Sequence, residues 1–244
     1  MLGLLGACGD RGGSTPPVLI PDPAVVTACS PGPLPAGQTR AKPIACVDEL
    51  VSGRLAAGRV GDLLLENARV RVVIRGPGEG YYLLGTSGGN IVDASSVGGE
   101  DLVQEVVSLV DFASGGDDEI VITEAGDDGP AEIVVRGRAV PVELLQAALF
   151  AEDPGVIVEQ HYRLAPDEIA VAIETRVYRA PDATGAATST NLADLVLMGG
   201  RVEVYIPGVG FPDTVRVTGH LVASAGTTSS YRIINPPDEL PGVQ

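Results

Sequence analysis

Residues 154–166 read PGVIVEQHYRLAP. Val156, Val158, Tyr162 and Leu164 fall on one side of an extended chain, and Ile157, Glu159, His161 and Arg163 fall on the other. Successive side chains of a strand point to opposite faces, so this stretch spells an element dry on one side and wet on the other. A helical repeat of 3.6 would scatter the same residues around a cylinder. Period two therefore governs the fold.

The same alternation recurs outward from this stretch. EIAVAIETRVYRA (168–180) sets Ile169, Val171, Ile173 and Val177 against Glu174, Arg176 and Tyr178. ENARVRVVIRG (66–76) places Ala68, Val70, Val72 and Ile74 opposite Arg69, Arg71 and Arg75. GRVEVYIPG (200–208) and DTVRVTGHLV (213–222) repeat the arrangement, the second with His220 on its polar side. Turn signals at APDE, GGDDE, AGDDGP and IPGVG separate these segments. Half-buried strands of this kind assemble into antiparallel sheets with one solvated face. The expected fold is mainly β, an antiparallel β-sandwich or supersandwich with one or two short helices. PVELLQAALF (141–150) carries a proline suited to a helix start and predicts one of them. EDLVQEVVSLVDF (100–112) has apolar residues at helical spacing but a valine content that favours a strand, and both readings stand.

Composition narrows the function. Sixteen basic against 32 acidic residues give a formal charge of −16, and Lys42 is the only lysine. Phosphate backbones and anionic lipid surfaces both call for clustered Lys and Arg, so nucleic acid is excluded as a partner and electrostatic membrane adhesion is disfavoured. With no Trp, three Phe and six Tyr, the core must come from Val, Leu, Ile and Ala.

No motif calls for a cofactor or a metal. The glycine-rich RGPGEGYYLLGTSGGN (75–90) follows a strand but lacks the helix N-terminus and lysine of a phosphate-binding loop. Asp117, Asp118, Glu119, Asp127 and Asp128 flank the strand-like EIVITEA at opposite ends, which suits turns better than a calcium loop. The two histidines, His161 and His220, stand on polar faces of separate strands. Glu159, His161, Arg163 and Glu174 are the candidate groove residues, and no catalytic residue is assigned.

The chain opens MLGLLGACGD. Leu5-Gly6-Ala7-Cys8 resembles a bacterial lipobox, which implies cleavage before Cys8 and a diacylglycerol thioether on its sulfur. A secretory signal needs a positive start and an apolar stretch of roughly 7–15 residues, so residues 1–7 are expected to be a truncated lipoprotein signal. Cys29 and Cys46 then remain as an even pair, and an oxidising envelope favours a disulfide between them. Residues 8–60, dense in Pro and Gly, read as a tether, 61–235 as the β-sandwich domain, and 236–244 as a tail or truncation point.

Several stretches together resemble the N-terminal domains of large surface lipoproteins of myxobacterial type. They are GDLLLENARVRVVIRGPG, GGNIVDASSVGGEDLVQEV, VEQHYRLAPDEIAVAIETRVY and LADLVLMGGRVEVYIPGVG. The resemblance spans residues 61 to about 232 and implies a galactose-mutarotase-like β-supersandwich, often placed before a metal-dependent hydrolase domain. The resulting expectation is an envelope-anchored module with a binding or spacing role rather than an enzymatic one. It would be held to the outer membrane or periplasm by lipid on Cys8, with carbohydrate or an envelope protein as partner. The alternatives are a mutarotase-like carbohydrate-active protein or the non-catalytic N-terminal part of a larger hydrolase.

Overall fold

The computed structural model describes residues 29, 32–78, 80, 87–101, 103–142, 153–184, 192–198, 203–205 and 232–234. Twelve strands join one sheet: β1 (Thr39–Pro43), β2 (Leu63–Asn67), β3 (Val70–Ile74), β4 (Ile91–Ser96), β5 (Val103–Val110), β6 (Ala113–Ser114), β7 (Glu119–Asp127), β8 (Ala131–Arg138), β9 (Val140–Pro141), β10 (Val156–Leu164), β11 (Ala172–Arg179) and β12 (Leu192–Met198). β13 (Glu203–Tyr205) and β14 (Arg232–Ile234) form a separate pair.

The main path runs β11-β10-β8-β7-β1-β2-β3-β4-β5-β6-β9, with β12 beside β5. Every strand-to-strand pairing is antiparallel. The fold is mainly β, as the alternation requires. EDLVQEVVSLVDF resolves to strand β5, because its valines pack on both sides of a pleated surface. The only described helical element is a 3-10 turn at Val47–Glu49. Pro141 lies in β9 opposite Ala113 rather than opening a helix, and residues 143–150 are outside the described residues.

The sheet curls until its two ends share a core. Leu63, Leu65, Val72, Ile74 and Val106 meet Ile133, Val135, Tyr162 and Leu164 in one cluster, against which Ile173 of β11 and Val196 of β12 also pack. A second cluster of Val110, Ala113, Ala139, Val156 and Val158 repeats this closure. Asn67, at the β2–β3 turn, donates through Nδ2 to the carbonyls of Ala165 and Glu168 in the β10–β11 turn. This contact ties the two layers at their rim.

Two further sequence expectations need correction. Arg75 does not lie on a wet face: it is 3% exposed and paired with Asp62 at 2.8 Å. The tether expected over 8–60 does not hold from residue 39 onward. Thr39–Pro43 is a strand in the middle of the sheet, and Ile44 and Val51 pack with Leu64, Val73 and Val92 on the side away from the main core. β2 is therefore buried along its whole length. Pro-rich composition marks a chain that forms few local hydrogen bonds, yet β1 obtains its bonds from β2 and β7.

Candidate functional site

The outer face of β8, β10 and β11 carries the largest group of interacting polar side chains on an exposed surface of the described residues. Register sets it up: Glu159 lies opposite Arg136 on β8 and Arg176 on β11, and His161 lies opposite Glu174. Val158, Gln160, Tyr162 and Leu164 point to the interior, so strand geometry turns Glu159, His161 and Arg163 outward.

His161 stands between two carboxylates. Its Nε2 lies 2.9 Å from Glu159 Oε1 and its Nδ1 lies 3.3 Å from Glu132 Oε1. Glu159 Oε1 also accepts from Tyr178 Oη at 3.2 Å and from Arg176 at 3.4 Å. Burial pushes the Glu159 carboxyl up, but the hydrogen bonds from His161 and Tyr178 and the charges of His161 and Arg136 outweigh it. The carboxyl therefore sits below its ordinary range. The Arg176 guanidinium grips both oxygens of Glu174 at 2.8 and 3.1 Å. That bond lowers the Glu174 pKa and raises that of Arg176. Arg136 lies over the Tyr178 ring, 5.9 Å from its centroid.

Three of the four candidate groove residues are thus brought together: Glu159, His161 and Glu174. Arg163 stands further along β10 and reaches Glu124 at 3.9 Å. The whole group occupies the outer side of the curl, opposite the main core. Glu132 and Arg136 escaped the sequence reading. The signal was present in AEIVVRGR (131–138), where Ala131, Ile133 and Val135 alternate with Glu132, Val134 and Arg136. His220 lies outside the described residues.

A second polar group is interior. Asp62 takes Arg75 on Oδ2 and the Gly76 amide on Oδ1, while Asp93 accepts the Ala57 and Gly58 amides at 2.7 and 2.8 Å. Burial, only partly offset by those amides and by Arg75, raises the Asp93 pKa above its ordinary value. These carboxylates hold segment 57–62 onto the sheet. The acidic residues noted at 117–119 have similar structural work: Asp117 accepts from Gly78 and Gly88, and Asp118 accepts from the Arg138 amide.

Cys29 and Cys46 are joined by a disulfide, with Cα atoms 5.7 Å apart. The Asp48 carboxylate and both sulfurs lie within 4.8 Å of one another. Sulfurs bonded to each other offer no thiolate, the form that ligates a metal. Cys8 lies outside the described residues. No family model, no curated protein and no solved structure matches this chain.

Proposed function

We propose that this chain is an envelope-anchored lipoprotein module with a binding or spacing role, held to the membrane through lipid on Cys8. The observation that carries the reading is the Cys29–Cys46 bridge. A disulfide of this kind suits an exported protein, and it ties the Pro- and Gly-rich leader at Cys29, ahead of β1, to Cys46, just past the end of β1. The leader then works as a spacer, and the sheet is the cargo it presents.

The outer face of β8, β10 and β11 is the binding surface in this reading. Tyr178, Arg136, Arg176 and Glu159 offer a ring flanked by donors and acceptors, a combination suited to a carbohydrate or to the polar rim of an envelope protein. The rival mutarotase-like reading needs a concave groove, and the outer-side position of Glu159, His161 and Glu174 lends it no support. Mass analysis of protein extracted from membranes tests the proposal: the mature chain should begin at an acylated Cys8. A protein that retains Met1 and partitions into the aqueous phase would refute the anchor.

A further inference from the structure

β11 ends the sheet. It pairs with β10 over all eight of its residues without a register shift, and among the described residues no strand pairs with its other side. An open edge of this length, with no proline and no bulge, is a template for another strand. Its position is well held, since Ile173 packs on the main core and Thr175 Oγ1 donates to Ser108 Oγ across the layers at 3.5 Å.

We propose that this edge is a homodimer interface, in which β11 pairs antiparallel with β11 of a second copy about a two-fold axis at Thr175. The sequence AIETRVYR is self-complementary in that register. Glu174 falls opposite Arg176 of the second copy, and the symmetry makes this pair twice. On the core side Ile173 falls opposite Val177, and both are half-buried residues that gain apolar neighbours. Shifting the centre to residue 174 sets Glu174 against Glu174, and shifting it to 176 sets Arg176 against Arg176. Centres between residues turn the apolar side of the second copy to solvent, because the side-chain period is two. One register is attractive, and its neighbours are each repelled by charge or by burial.

The same two charges explain how an edge this open stays selective. Glu174 and Arg176 bond to each other within the strand and both are well exposed, so in the dimer each can exchange its partner within the strand for the same partner across the axis. Charged residues on an edge normally discourage pairing; here they discourage every partner lacking the opposite pattern. Strand-edge dimers bury little surface, so association belongs in the micromolar range.

Sedimentation equilibrium of the full chain, taken up to about 0.1 mM, should show a dimer. Glu174→Arg and Arg176→Glu should each weaken it by about tenfold or more, since each brings like charges together twice. Glu174→Lys provides a second reversal, and circular dichroism confirms that each variant keeps its strands. Mixed in equal amounts, Glu174→Arg and Arg176→Glu should form a heterodimer, because an edge of two cations then faces an edge of two anions. A monomeric parent protein, a dimer indifferent to the single reversals, or a mixture that stays monomeric would each overturn the proposal. None of these results depends on whether Cys8 carries lipid.

Discussion

Glu66 is 1% exposed and sits between Arg40 and Arg71, both of which donate to it. Removing one partner from a buried ionic group leaves the others desolvated and unmatched, so Glu66→Gln should lower the unfolding free energy by about 3 kcal/mol, measured by urea denaturation. Two other carboxylates predict opposite pH behaviour. The Glu159 pKa is lowered in the folded protein, so its stabilisation is complete above the ordinary value of 4.5 and is lost as pH falls through the lower folded value. The stability difference between the parent protein and Glu159→Gln should accordingly shrink as urea melts are taken below that pH. Asp93 runs the other way. Its pKa is raised above 3.8, so the folded state gains from the protonated acid, and that gain disappears as pH rises through the folded value. A carbon-detected NMR titration of Asp93 should show a midpoint above 3.8.

Between elements, the closest constraints are backbone approaches that leave no room for a side chain. Gly89, which leads into β4, has φ +85° and faces Val135 of β8 across the core, where a Cβ would overlap the valine methyl. Gly89→Ala combines a left-handed backbone with overpacking and should cost about 2–4 kcal/mol, visible as a lower thermal midpoint. The leader is fastened by another device. The Cys29–Cys46 bridge closes a loop with a sequence separation of 17, for which the chain-entropy model gives about 3 kcal/mol. Thermal melts with and without a phosphine reductant should separate by a corresponding shift. Cys29→Ser/Cys46→Ser should reproduce the reduced curve and lose its sensitivity to reductant.

Across the whole molecule, burial is graded along the sheet. β2 is covered on both sides, by the main core and by the Ile44–Val51 layer, while β11 alternates between exposed and half-buried residues. Hydrogen exchange follows local opening, so amides of β2 and β3 should exchange most slowly and those of β11 early. Dimer formation through β11 would slow its outward amides at high protein concentration. An exchange pattern led instead by β10 and β11, with β2 fast, would contradict this order of burial.

The strands around 154–180 were legible from residue pattern alone, because a strand with one wet face writes its burial directly into alternate positions. The same logic accounts for the mainly β fold class. It failed where both faces are covered. Arg75 looks like a surface residue in ENARVRVVIRG, and only its pairing with Asp62 beneath the 44–60 layer makes it interior. It failed equally for β1, whose hydrogen-bond partners lie at 63–67 and 126–127, too far along the chain for local composition to announce. Of the outer-face group, Glu159, His161 and Glu174 were found because they sit on strongly patterned strands. Their convergence with Glu132 and Arg136 arose from register alone. Period two assigns a residue to a face, but which charges meet on that face depends on how neighbouring strands slide past one another, and that is decided by the packing of the core.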